Sequence, residues 1–235
     1  MVKPDQLDAI HIEEQHPHGG DWLREIVFGL NDGLVTTLVF IMVVSGVTSA
    51  RLVLIALGEV MAGGISMALG AFMSADTVAN IRDYRIATER HEIRHEPDEE
   101  RAELRALYRQ KGFHGTLLDR VVDHLTANED RWLNAMITDE LGVQQGSQRH
   151  PGIDGLLVGL SFIAGGLVPV VPFFFSLSHQ QVWAYGLTAL VSLLVGSLKS
   201  RYTLKGPARS SLEFLIIVTL GTVGGVALGA ILHLV

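Results

Sequence analysis

Hydrophobic and polar positions divide the chain into long apolar runs and one charged interval. The apolar runs lie at about Leu23 to Val47, Arg51 to Ser74, Gly152 to Leu177, Gln181 to Leu198 and Ser211 to Val235. Each matches or approaches the roughly 20 residues that a helix needs to cross a hydrocarbon core of about 30 Å. The second run does not stop at its polar edge. RLVLIALGEVMAGGISMALGAFMSA continues into DTVANIRDYRIATERHEIRHE, with no proline from Arg51 to Glu96 and no glycine after Gly70. One helix over that stretch would be about 69 Å long, so its second half must stand in water.

The charged interval, Asp76 to His150, predicts three helices. The first is the extension of span two, ended by Pro97 because the residue before a proline is biased away from helical geometry. The second covers about Asp98 to Lys111 and stops at Gly112. The third, about Thr116 to Leu141, carries Leu117, Leu118, Val121, Val122, Leu125, Trp132, Leu133, Met136, Ile137 and Leu141 at spacings near 3.6, with Gly142 as its stop. In the third span, Pro169 and Pro172 should bend or break the helix near its far end. The expected fold is an all-α integral membrane protein of five transmembrane helices, with a three-helix cytoplasmic insert between spans two and three. The divisions are a polar tail (1–21), spans one and two (22–75), the insert (76–150) and spans three to five (151–235).

Composition sharpens this picture in three ways. Hydrophobic residues make up 48% and glycines number 25, which suits helices packed closely in lipid. The net charge is −7, and 15 of the 25 acidic residues lie in the insert, a surface that favours cations and argues against nucleic acid as a partner. There is no cysteine, so the available metal ligands are carboxylate, imidazole and thioether. Basic residues crowd the insert and the loop holding Lys199, Arg201, Lys205 and Arg209, while the alternate loops hold little beyond Arg51. That asymmetry places the N-terminus and insert in the cytoplasm and the C-terminus outside or in a lumen; the expected host is a cell membrane rather than that of a vacuole, a choice the asymmetry does not itself make. Gly221, Gly225 and Gly229 form one small-residue stripe and Gly29 with Gly33 another; each suits packing within one subunit or between two.

Chemistry is concentrated in two places. Asp32 sits about eight residues inside span one, and Glu59 lies a similar depth from the opposite edge on span two. Met67 returns to the depth of Asp32, roughly 12 Å beyond Glu59, so the three form a ladder across the membrane. An ionised carboxylate costs several kcal/mol at such depth, so intramembrane acids mark transport or proton relay, against the plainer reading of helix-to-helix hydrogen bonds to Asn31, Thr36 or Ser66. In the insert, Glu89 and Glu92 share a helix face at i,i+3, and Glu100 with Glu103 repeat the spacing after the Pro97 reversal. Facing carboxylates suit Mn²⁺ or Fe²⁺; equally, Arg90, Arg94, Arg101 and Arg105 would make these helices an ordinary solvated, charge-laced face. His91, Glu92 and His95 match the H-E-x-x-H pattern of zinc hydrolases, without its extended continuation. The polar tail gathers His11, Glu13, Glu14, His16 and His18, either a metal-collecting segment or a solvated tail.

WLREIVFGLNDGLVTTLVF resembles the first span of the vacuolar iron transporter family, and GEVMAGGISMALGAFMS its second. The DYRIATERHEI segment with Pro97 and Glu100 resembles the family's metal-binding insert, RWLNAMITDELG its third insert helix, and GGLVPVVPFFF its third span. The resemblance implies that Asp32, Glu59 and Met67 line the translocation path. It implies that Glu89, Glu92, Glu100 and Glu103, joined by Met136 and Glu140, hold metal. It further implies a non-enzymatic homodimer that exports Fe²⁺, and Mn²⁺ besides, from the cytosol in exchange for protons, with Zn²⁺ a further ion for the insert. Two positions depart from the family: Ile137 stands where a second methionine is expected, and Ala71 where some members have Glu. The rival functions are a membrane-anchored zinc metalloprotease using HEIRH and a metal sensor that binds ions without moving them.

Overall fold

The computed structural model describes residues 20–44, 49–140, 142, 150–175, 177–200 and 206–233. The histidine-bearing tail, with His11, Glu13, Glu14, His16 and His18, lies outside the described residues. Among the described residues, eight α-helices follow in order: α1 (Gly20–Val43), α2 (Ser49–His95), α3 (Pro97–Gln110), α4 (Gly115–Thr126), α5 (Glu129–Asp139), α6 (Pro151–Val170), α7 (Gln180–Ser200) and α8 (Pro207–His233). Five of them are long and apolar enough to cross a membrane: α1, α2, α6, α7 and α8. The chain forms two compact units, one of residues 1–73 with 150–235 and one of residues 74–149, and α2 contributes to both.

Backbone proximity holds the membrane unit together. Lipid is as apolar as leucine, so helices there associate by close packing at small residues rather than by escape from water. On α1, a Cβ added to Gly29 would meet the Val158 carbonyl oxygen at 2.3 Å, and one on Gly33 the Phe162 oxygen at 2.1 Å. From the other side, a Cβ on Gly165 of α6 would lie 2.2 Å from the Leu30 oxygen. Helix α2 meets α6 in the same way, Gly159 against Ala68 and the Gly64 oxygen. The Gly221, Gly225 and Gly229 stripe of α8 packs on Val35, Val39, Met42 and Val43 of α1. Both glycine stripes are therefore occupied inside one subunit. Helices α7 and α8 join through Gly196 against Ser210 and Ser211, and through a 3.0 Å hydrogen bond between Tyr185 Oη and Thr219 Oγ1. Leucines, valines and aromatics cover the outer faces of these helices, from Leu54 and Ile65 to Leu220 and Ile231, as a lipid-facing surface requires. Pro169 sits inside α6, which ends one residue later and tightens into a 3-10 turn over Val171–Phe174, with Pro172 in its first turn.

The second unit is held by the hydrophobic effect. Ile93, Leu104, Leu118, Val122, Trp132, Leu133, Met136 and Ile137 make one buried cluster, each side chain of this size gaining about 1.5–3 kcal/mol on burial. The expected single third helix is two. Helix α4 ends at Thr126, and Asn128, in extended conformation, starts α5 by accepting a 3.0 Å hydrogen bond from the Arg131 amide. An N-cap of this kind satisfies a backbone donor that a continuous helix would have bonded internally. The other boundaries follow their signals: α2 closes at His95, Pro97 opens α3, and Gly112 follows α3 with φ +94.

Candidate metal centre and translocation path

The reversal at Glu96 and Pro97 folds α3 back on the end of α2, and this brings the two glutamate pairs together. Glu89 and Glu100 are 4% and 6% exposed, and each has a buried carboxyl oxygen with no hydrogen-bond partner. Burying an acid beside another acid penalises the charged form of both. The Glu89 carboxyl is pushed up to about 8, first by burial and then by its contact with Glu100 and the charges of Glu100, Glu140 and Glu92. Glu100 is raised as well, by burial and by Glu103, Glu92 and Glu140. Glu140 is raised by burial, Glu103 and Glu92. It caps the C-terminal end of α5, where the helix dipole is unfavourable to an anion. Met136, one turn earlier, is fully buried in the apolar cluster beside this group. Among the described residues, no three His, Asp or Glu side chains are placed to hold a metal ion together.

The arginines interleaved with these glutamates point elsewhere. Arg94 pairs with Glu129 at 2.7 Å and Arg90 with Asp130 at 4.0 Å. Arg101 pairs with Asp123, Arg105 with Asp119 and Lys111 with Asp139. These pairs tie α2 and α3 to α4 and α5 along the solvent side. Every charge that acts on Glu89, Glu100 and Glu140 is another carboxylate. A face laced with arginine would have neutralised its own glutamates, and this one does not. The acidic partners on α4 and α5 were missed from sequence because helix periodicity places residues on a face without saying which face meets which.

The membrane unit holds Asp32, Glu59 and Met67, each half-buried. Glu59 accepts a 2.8 Å hydrogen bond from Thr37 Oγ1, and Thr37 is fully buried. That bond joins α1 to α2 and was not among the partners expected. Asp32 lies near a hydroxyl of its own helix, Thr36, at 3.5 Å, and its charge reaches Glu59. Thr37 stands five residues beyond Asp32, about 7.5 Å along the axis, which fixes the step between the two acids. Asn31 Oδ1, beside Asp32, is buried with no hydrogen-bond partner. Gly63 packs on the ring of Phe162 and Gly33 on its carbonyl oxygen, so α1 and α2 meet the same residue of α6.

A model of the VIT family matches residues 23–230, spanning both units. The chain belongs to the VIT family. It is 33% identical to vacuolar iron transporter 1 of Oryza sativa subsp. japonica over 90% of this chain and 86% of that protein. It is 30% identical to vacuolar iron transporter 1 of Tulipa gesneriana over 92% and 89% of the two chains. With vacuolar iron transporter 1 of Arabidopsis thaliana it shares 26% identity over 99% and 95%. The VIT family consists of transporters, not enzymes, so the zinc-hydrolase reading of HEIRH has no support. VIT membership and five spanning helices together make the chain a multi-pass membrane transporter.

Proposed function

We propose that this protein carries Fe²⁺, and Mn²⁺ as a second cargo, out of the cytosol across a membrane in exchange for protons. The observation that carries the reading is the gathering of Glu89, Glu92, Glu100, Glu103 and Glu140 with the intervening arginines turned away. Such a group binds a divalent cation as the missing counter-charge, and oxygen ligands with the Met136 thioether suit Mn²⁺ and Fe²⁺ better than Ca²⁺. The relatives named as iron transporters support iron as the cargo. The insert faces the cytosol, as its basic residues indicate, and collects the ion there.

Asp32, Glu59 and Met67 then form the path. A carboxylate at membrane depth is held by a proton or by a cation, so one site exchanges the two, and Met67 adds a soft ligand. Phe28 and Thr36 on α1, and Gly58, Ala62, Ser66 and Gly70 on α2, are exposed around the half-buried acids. Nothing lies within 4 Å of a Cβ added at Gly58 or Gly70. Half-exposed acids facing lipid are costly, and a second copy packed on this small-residue face covers them. The transporter is accordingly a homodimer joined along α1 and α2, the stripes at Gly29 and Gly221 being used within the subunit. The relatives are named for the vacuole, and none supports the expectation of a cell membrane.

Uptake of Fe²⁺, Mn²⁺, Zn²⁺ and Ca²⁺ into sealed proteoliposomes, with and without an imposed pH gradient, tests this function. Proton-coupled accumulation of Fe²⁺ and Mn²⁺ but not Ca²⁺ is expected. Ion binding without flux would leave a sensor and refute the transporter.

A further inference from the structure

Four polar groups buried among α1, α7 and α8 take no part in the function just argued. Thr188 and Ser192 on α7 and Ser210 on α8 are fully buried, and their hydroxyls have no hydrogen-bond partner among the described residues. Asn31 Oδ1 on α1 is in the same condition. Serine and threonine inside a helix commonly bond a backbone carbonyl, and the neighbours of these residues do so. Thr219 donates to the Leu215 oxygen and Thr222 to the Val218 oxygen, each at 2.8 Å, while Ser211 crosses to the Leu193 oxygen at 2.9 Å. A buried polar group left unpaired is costly, so four in one region point to a ligand. Packing fixes their levels. Gly221, Gly225 and Gly229 lie against successive turns of α1 at Val35, Val39 and Val43, so α8 runs parallel to α1, and Asn31, one turn before Val35 on the same face, falls near Ile216. Tyr185 bonds Thr219, and Gly196 meets Ser210 and Ser211, so α7 runs antiparallel to α8 and brings Thr188 near Ile216 and Ser192 near Leu212. Asn31 and Thr188 therefore share a level, with Ser192 one turn nearer the Pro207 end of α8 and Ser210 at that end. Together they form a polar seam roughly 10 Å long.

We propose that this seam binds a file of ordered water that carries protons between the Pro207 end of α8 and the level of Asp32, apart from the metal path. The inference rests on the proton exchange argued above and gives its proton a route. Hydroxyl and amide groups are neutral and both donate and accept, which suits water, since a buried water makes about 2–4 hydrogen bonds. They offer a divalent ion none of the carboxylate charge that replaces its hydration. In the relay each water accepts a proton on one side and releases another on the far side, so nothing in the seam is consumed. The seam ends at Asn31, and the next residue, Asp32, takes or gives the proton on the adjoining face of α1. Metal reaches that carboxyl from the exposed face of α1 and α2 and the proton from the buried side, so the two cargoes meet at one group without sharing a channel.

X-ray radiolytic footprinting of the full chain tests for the water, because radicals formed from a bound water label the side chains beside it. Phe214, one turn past Ser210 on the seam, is 5% exposed; Phe162, packed on Gly63 of α2, is 2% exposed and serves as the dry reference. Phe214 should be labelled several times faster than Phe162. Thr188→Val with Ser192→Ala removes two hydroxyls with little change of shape, and it should bring the Phe214 rate down to that of Phe162. In proteoliposomes the same double variant should slow proton-coupled Mn²⁺ entry severalfold, while the insert binds Mn²⁺ as in wild type. Ser211→Ala, which removes a hydroxyl already paired in the same helix contact, should leave entry unchanged. A Phe214 as unreactive as Phe162 in wild type would overturn the proposal by showing a dry seam. Unchanged entry in the double variant, or an equal loss in Ser211→Ala, would overturn the proton route. Wild-type vesicles that move metal without protons would instead end the exchange reading, and the route with it, while Phe214 labelling would still report the water.

Discussion

Glu89→Gln separates a structural acid from a metal ligand. In the metal-free protein the Glu89 carboxyl is pushed from 4.5 up to about 8 by burial and by the acids around it. A carboxyl raised in this way contributes stability that is fully present below pH 4.5 and is lost as the pH rises through about 8. At about 1.36 kcal/mol per pH unit, the folded insert forfeits roughly 2 kcal/mol by pH 6 and between 4 and 5 by pH 8.5, before relaxation and water entry reduce the figure. Glutamine keeps the shape and can donate to Glu100, but it never ionises. The variant should therefore match wild type at pH 4.5 and exceed it by a few kcal/mol at pH 8.5 in EDTA. Trp132 is buried in the insert core, whereas Trp22 and Trp183 are exposed on membrane helices. In a Trp22→Phe, Trp183→Phe background, Trp132 fluorescence then reports insert unfolding in the intact chain. Mn²⁺ should stabilise the parent at pH 8.5 and leave Glu89→Gln nearly unmoved. A Glu89→Gln protein less stable than its parent at pH 8.5, or a parent whose stability rises with pH, would refute the reasoning.

The remaining predictions concern packing and charge. Arg101→Ala breaks an exposed pair with Asp123, so it should cost no more than about 1 kcal/mol and leave Mn²⁺ affinity within twofold by calorimetry. A large affinity gain would show that Arg101 had been neutralising the glutamates after all. Gly33→Leu forces a side chain into the Phe162 backbone and should lower the melting temperature in detergent sharply, an overpacking cost of about 1–3 kcal/mol or more, while Gly70→Ala, in open space, should leave the isolated subunit unchanged. Gly58→Leu or Gly70→Leu should instead shift the mass measured in lipid nanodiscs from dimer to monomer. Thr37→Val removes the donor to Glu59 and should slow metal flux without changing metal binding at the insert.

The spans and the long second helix could be read in advance because each is set by local pattern: apolar length, the proline-free run to Glu96 and the stops at Pro97 and Gly112. The break at Asn128 was not read, because a cap inside an otherwise periodic stretch, Leu117 to Ile137, is a signal one residue wide. For the site, spacing alone left Glu89 and Glu100 undecided between a metal centre and a solvated face. What bears on that choice is tertiary: Arg94 and Arg101 reach Glu129 and Asp123, residues 35 and 22 positions away, rather than the glutamates beside them. The glycine stripes failed in the same way, since a small-residue face at Gly221 announces close approach without naming α1 as the partner.

Transport by Asp32 is the claim on which the account rests, and ion flux in proteoliposomes tests it. Vesicles carrying wild type or Asp32→Asn are loaded with an imposed pH gradient, and Fe²⁺ and Mn²⁺ entry is followed alongside proton movement. Metal binding by the insert is measured on the same preparations. The account predicts that Asp32→Asn stops both fluxes while the insert still binds Mn²⁺ as in wild type. Asp32→Asn vesicles that accumulate metal at the wild-type rate under the gradient would contradict it.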